Sequence, residues 1–392
     1  MLRLVFWSAV TAALATGCAP APLEGTTSAT AQSEQADIDL TDASLSEKID
    51  LIFEDYANST SPGCAVGVSQ DGTYIHSKGY GLANLEHGIP ITGQSVFRIA
   101  SVSKQFTALA IAILADRGEL DLDADVHTYL PDLPEFEAPV TVRQMVHHIS
   151  GMGDYDLDFE VSPGKEFRFG NQDYWTNEEF LDQVLTKPLA LPPGEQFQYS
   201  NLAYYLLGQV VERVSGQTLR EFAAAEIFGP LDMTHTFFND NVNGVVPNRA
   251  DAYVPTGGGT FEILMTNLSW VGDGGVYTSL DDFVKWDQAL LSGDVPGGAA
   301  VYDLITTPHP STVNSDGDDA FGYGFGMFVG TQSGRAIRSH SGGWVGFRTY
   351  YASLPEEAVS VIYFCNRADA PGHRQDAILE LVVAELIEQS PE

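Results

Sequence analysis

Apolar residues in this chain recur with two periods, and the switches between them mark its organisation. Leu45, Ile49, Ile52, Phe53 and Tyr56 fall on one helical stripe, with Asp42 or Ser44 placed to cap it. Cys64-Ala65-Val66-Gly67-Val68 and Thr73-Tyr74-Ile75 flank Asp71-Gly72, a pattern that predicts a hairpin. Residues 101–117 are apolar and rich in Ala, Ile and Leu, as expected of a buried helix. Helical spacing returns over 177–185, 202–214, 218–227 and 279–291, between loops that hold many of the Gly and Pro residues. Near the end, 336–340, 347–354 and 359–364 alternate as strands do, and 376–387 closes as an amphipathic helix. Sheet elements at both ends with helices between them predict an α+β fold, in which the first and last strands lie close and the middle forms a helical lobe. No repeat period appears, and no linker divides residues 42–392, which read as one two-lobed domain.

Charge narrows the partners. Across 392 residues, Asp+Glu 53 against Lys+Arg 19 leave a formal charge of -34. Such a chain repels phosphate backbones, so nucleic acid is excluded, while the acidity itself marks a solvated surface and names no function. Three cysteines are too few for a disulfide scaffold. Cys64 and Cys365, in apolar strand-like runs, read most simply as small buried side chains, with a disulfide between neighbouring strands as the alternative. Neither has the cationic neighbours of a nucleophilic thiol.

Residues 1–18 read as a signal peptide, with Arg3 in the charged segment and 4–14 apolar but too short to span a bilayer. Leu14-Ala15-Thr16-Gly17-Cys18 resembles a bacterial lipobox, although Ala15 stands where Leu is commonest. Lipidation of Cys18 would anchor the chain in the cell envelope, at the outer membrane facing the periplasm in a Gram-negative source; cleavage and secretion are the alternative. Residues 19–41, with hardly any large apolar side chain, are a disordered tether.

Four segments carry candidate chemistry. Ser101-Val102-Ser103-Lys104 places a hydroxyl and an amine three apart at the start of the buried helix. Serine attacks only with a base beside it, and a buried lysine has its pKa lowered towards that use. Lysine is scarce here, and Lys104 heads an internal helix, an unlikely place for one with no task. Tyr199-Ser200-Asn201 sets a phenol and an amide two apart: one can move a proton, the other can hold a substrate carbonyl. Ser339-His340-Ser341-Gly342-Gly343 ends a strand in glycines that expose backbone N–H groups to an acyl group, with His340 as a further donor. His147-His148 reads as a structural helix end, because adjacent helical residues point apart and no third ligand follows at metal spacing. No G-x-S-x-G elbow or phosphate-binding loop appears, and no cofactor or metal is expected.

The three motifs S-x-x-K, Y-x-N and H-x-G, in that order and separated by 98 and 141 residues, resemble the serine β-lactamase and penicillin-binding-protein-like superfamily, most closely its class C β-lactamase-related serine hydrolase branch. Pro230-Leu231-Asp232-Met233, Gly274-Gly275-Val276-Tyr277 and the His147–Gly151 stretch extend the likeness over nearly all of residues 44–366. The resemblance implies a mainly antiparallel sheet flanked by helices. It further implies Ser101 as the acylated nucleophile, Lys104 and Tyr199 as the proton-transfer pair and Asn201 as a substrate ligand. The N–H groups of Ser101 and Gly343, with Gly342 beside them, would form the oxyanion hole. His340 stands where the lactamases carry the lysine of K-T-G, which shifts the expectation from efficient antibiotic hydrolysis towards esters, small amides and D-amino-acid peptides. A penicillin-binding or peptidoglycan-recognising module that acylates with little turnover is the second reading. Asp154, Tyr155 and Trp344 are candidate wall residues of the pocket.

Overall fold

The computed structural model describes residues 43–155, 176–184, 188–316, 319–370 and 373–387. The signal peptide, lipobox and tether lie outside them. Ser44 closes a capping box with Glu47 and starts helix α1 (Leu45–Ile52), which leads through a short 3-10 turn to the first strand. Strands β1 (Cys64–Gln70) and β2 (Thr73–Tyr80) form the expected hairpin. Asp71 and Gly72 both take positive φ, at 53° and 69°, as a tight hairpin turn of this hand requires.

The buried helix is α2 (Lys104–Asp116), enclosed from Lys104 to Leu114. After it come α3 (Asn201–Ser215), capped by Ser200, and α4 (Leu280–Ser292), capped by Ser279. Six strands follow: β3 (Asn314–Asp316), β4 (Asp319–Tyr323), β5 (Phe328–Gln332), β6 (Arg335–Trp344), β7 (Phe347–Leu354) and β8 (Val359–Cys365). Helix α5 (His373–Val382) ends the sequence of elements. The sheet order is β3-β4-β5-β6-β7-β8-β1-β2, antiparallel throughout, so the C-terminal strand lies against the first one.

Burial on both faces of this sheet explains why its central strands are apolar without interruption. Cys64, Val66 and Val68 of β1 pack with Val361 and Tyr363 of β8 under α1 and α5, while Ala65, Ile362 and Phe364 turn to the face that carries α2. The simplest reading of the cysteines is corrected here. Cys64 and Cys365 are opposite each other in the β1–β8 register and form a disulfide across 301 residues of chain. Replacing both by serine lowers the unfolding free energy by about 2–5 kcal/mol, measured by urea titration against the oxidised chain; an unchanged midpoint would show that the strand pairing needs no staple.

Candidate active site

Ser101 follows a strained residue. Ala100 is buried yet has φ 49°, a conformation that side-chain-bearing residues rarely adopt. The surrounding turn is clamped by other elements. Ile99 N–H donates to the Val276 carbonyl at 2.9 Å, Val276 N–H donates to Ser103 Oγ at 3.1 Å, and the Thr349 hydroxyl donates to the Ile99 carbonyl at 2.8 Å. Ala100–Ser103 is a 3-10 turn rather than the first turn of the α-helix. In 3-10 geometry residues three apart eclipse one another, which aligns Ser101 with Lys104.

Lys104 is fully enclosed, and its ammonium donates to Ser101 Oγ at 3.1 Å, to Asn201 Oδ1 at 2.7 Å and to the Asp273 carbonyl. All three protons of the charged form have acceptors. Burial nevertheless brings its pKa down from 10.5 to about 8, against the upward pull of Asp273 and Asp154. A lysine so placed reaches the neutral, basic form near physiological pH.

Asn201 opens α3, with its amide between two groups: Oδ1 on Lys104 and Nδ2 donating to Asp154 Oδ2 at 2.9 Å. Asp154 also accepts the Asn201 and Leu202 backbone N–H groups, at 3.1 and 3.3 Å, so this exposed carboxylate caps the helix that presents Asn201. The second Nδ2 proton remains for a ligand. Tyr199 lies beneath the ammonium, its ring centroid 4.9 Å from Lys104 Nζ, and its phenol shares a hydrogen bond with Ser101. Burial pushes that phenol well above the usual range, with the Ser101 hydroxyl pulling the other way. Of the two candidate bases, Lys104 is therefore the one with an accessible deprotonated form.

The alternation of β6 puts His340, Gly342 and Trp344 on one face. Strand β5 pairs with β6 only as far as Ser339, whereas β7 continues to Trp344, and the Ile99–Ser101 turn occupies the place that β5 vacates. A Cβ at Gly342 would stand 2.6 Å from the Ile99 carbonyl oxygen and 3.1 Å from Ser101 N, so only glycine allows this approach. Gly343 follows it on the strand.

The donor role expected of His340 is corrected. Its ring is buried, with Nδ1 2.6 Å from the Ser341 carbonyl and Nε2 3.0 Å from the Tyr323 hydroxyl. A carbonyl only accepts, so Nδ1 carries the proton and Nε2 accepts from Tyr323. Burial first, then Lys104, brings the ring's pKa down to about 3. A neutral imidazole with both nitrogens engaged cannot replace the charge of a lysine.

Among the wall candidates, Asp154 lies at the rim, Trp344 is half-buried under the Arg98 guanidinium at 4.9 Å, and Tyr155 belongs to the interior, donating to the Asp273 carboxylate. His147 donates from Nδ1 to the Tyr323 carbonyl at 2.7 Å, as a structural group at the end of the short helix Val142–Val146. Among the described residues no cluster of three or more His, Cys, Asp or Glu is arranged to hold a metal. An open cavity of about 700 Å³, lined by Ile89, Pro90, Val245, Arg249 and Asp251 among others, includes none of the Ser101 group. Sequence reasoning missed Asp273 and Tyr323. A backbone carbonyl has no side-chain signature, and Tyr323 looks like any core aromatic.

The Beta-lactamase family model matches residues 49–385. The D-aminopeptidase of Gluconobacter oxydans is 30% identical over 316 residues, covering 80% of this chain and 57% of that protein. The chain thus spans little more than half the length of that relative. A penicillin-binding protein of Bacillus subtilis is 28% identical over 352 residues, 85% of this chain and 74% of the relative. Among solved structures, the octameric penicillin-binding protein homologue from Pyrococcus abyssi has a TM-score of 0.73 at 26% identity, covering 86% of this chain and 76% of that one. With a family match that runs from α1 past α5 and a solved neighbour of the same fold, the chain belongs to the β-lactamase family, within the superfamily of serine β-lactamases and penicillin-binding-protein-like hydrolases.

Proposed function

We propose that this protein hydrolyses ester or amide bonds through an acyl-enzyme on Ser101. The observation that carries the proposal is the buried Lys104 amine, with its pKa brought down to about 8 and 3.1 Å from Ser101 Oγ. Neutral Lys104 accepts the Ser101 proton as Oγ bonds to the substrate carbonyl carbon. The charge that develops on the carbonyl oxygen is met by the N–H groups of Ser101 and Gly343. Lys104, with Tyr199 beside it, returns the proton to the leaving amine or alcohol as the carbonyl–heteroatom bond breaks. Asn201 orients the acyl group through its free amide proton. Water then cleaves the ester on Ser101, with its proton taken by the same base.

Substrate preference follows from His340. Without a cation at that place, a substrate carboxylate gains little there, so esters, small amides and D-amino-acid peptides rank above β-lactams. A D-aminopeptidase among the relatives supports this ranking. The second reading, a penicillin-binding module that acylates and barely turns over, is favoured by the relatives named for penicillin binding. Location follows the same logic: an export signal over residues 1–18, with lipidation at Cys18, places the domain in the cell envelope, and the Cys64–Cys365 disulfide suits an oxidising compartment.

Intact mass after incubation with a fluorophosphonate or a fluorescent penicillin tests both readings. A mass increment that wild type gains and Ser101→Ala does not gain is the expected result, together with turnover of p-nitrophenyl esters. A lasting penicilloyl adduct without turnover selects the second reading. No adduct under either probe overturns both, and rapid nitrocefin hydrolysis without ester or D-Ala-D-Ala cleavage overturns the preference.

A further inference from the structure

The loop that presents Tyr199 is held at both ends by one residue outside the chemistry proposed above. The His148 carbonyl accepts the Gln198 N–H at 2.7 Å, and His148 Nδ1 accepts the Ser200 N–H at 3.1 Å. The two backbone N–H groups on either side of Tyr199 therefore end on the same residue. The imidazole fills the slot behind the phenol, its centroid 4.3 Å from Tyr199, 4.5 Å from Tyr323 and 4.8 Å from Tyr204, and it is wholly enclosed.

This placement has two local costs. A peptide N–H can only donate, so Nδ1 is bare and the ring proton sits on Nε2, which finds no acceptor. Burying an unpartnered N–H costs about 1–3 kcal/mol. The backbone adds strain, because His148 has φ 57°. An apolar side chain would fill the aromatic slot without the first cost. What it would lose is the acceptor for Ser200.

We propose that His148 is a positioning residue, whose Nδ1 fixes the Ser200 peptide and thereby holds the Tyr199 phenol against the Ser101 hydroxyl. The proposal rests on the reading of Tyr199 as a proton-transfer partner of Ser101. It explains why a histidine pair occurs here without a metal: His147 ties the helix end to β4 and His148 ties it to the Tyr199 loop.

Asparagine and glutamine separate this role from simple filling. Asn carries an acceptor at the position of Nδ1 and tolerates positive φ, whereas Gln carries its acceptor near Nε2. On the full chain, inactivation by a fluorophosphonate is resolved into its maximal rate and its half-saturating concentration. His148→Gln is expected to lower the maximal rate about thirty-fold with half-saturation nearly unchanged, as a misplaced catalytic group does. His148→Asn is expected to stay within about three-fold of wild type. In a Tyr199→Phe background His148→Gln should add less than about two-fold, because the group it positions is gone. Equal losses for Asn and Gln, or an undiminished Gln effect without the phenol, overturn the proposal. So does a wild-type imidazole whose nitrogen-15 shifts place the proton on Nδ1, a measurement that needs no variant. A wild type that takes no label defeats the acyl-enzyme reading itself. A Tyr199→Phe variant that labels at the wild-type rate removes the role of Tyr199 and the proposal with it, while Ser101 and Lys104 stand.

Discussion

Lys104→Met should fold at least as well as wild type at pH 7 and react with a serine-directed probe about a thousand-fold more slowly. The kinetic half follows from chemistry: without the amine, Ser101 Oγ keeps its proton, and the Tyr199 phenol, held above its usual range by burial, is a poor substitute. The stability half follows from linkage. In the folded chain the Lys104 pKa is about 8, and in the unfolded chain it is near 10.5. Between those values the unfolded state binds the proton and the folded state does not, so this lysine adds stability as pH rises through the window. Below pH 8 both states are protonated, and the enclosed charge costs about 3 kcal/mol at full strength. Methionine removes that cost. Against it stand three acceptors left without a donor, Ser101 Oγ, Asn201 Oδ1 and the Asp273 carbonyl, at about 1 kcal/mol each. Urea titrations at pH 7 and pH 10 read the balance: the advantage of wild type should grow with pH. A variant less stable by more than about 2 kcal/mol at pH 7, or one labelled at the wild-type rate, would remove the assigned role. In wild type the labelling rate should climb through about pH 8 with no limb between pH 5.5 and 7, since His340 and His148 both stay neutral across that range.

Gly342→Ala should cost about a hundred-fold or more in the same labelling rate. The added carbon meets the Ile99 carbonyl and the Ser101 backbone nitrogen, so β6 must retreat from the turn that carries the nucleophile. That retreat opens the space between Ser101 N–H and the Gly343 segment, where the acyl oxygen is to be held. Overpacking of this kind also lowers stability by about 1–3 kcal/mol. Gly343→Ala is the control, because a Cβ there meets nothing nearer than Arg348 at 3.8 Å. Similar losses for the two variants would show that the close approach of β6 is incidental.

Local patterns carried much of this in the sequence. The Asp71-Gly72 hairpin, the buried helix behind Ser101 and the alternating C-terminal strands are each decided by residues near one another, through turn chemistry and periodicity. The helix start was less legible. Ser101 lies in a 3-10 turn before α2, because the strained Ala100 and the contacts of Val276 and Thr349 override the helical pattern. Tyr155, polar-tipped and near the motifs, looked like a pocket wall, yet it points inward to the Asp273 carboxylate.

By itself the sequence determined which side chains are available for chemistry and the order in which the chain presents them. Ser101, Lys104, Tyr199, Asn201 and the Gly342-Gly343 strand end are spelled out in short motifs. Tertiary structure alone decided what those groups can do. It took Lys104 out of water and gave it a carbonyl acceptor 169 positions away, it closed both nitrogens of His340, and it joined Cys64 to Cys365. Protonation and pairing depend on the dielectric surroundings and on contacts between distant segments. Neither quantity is defined until the chain has folded.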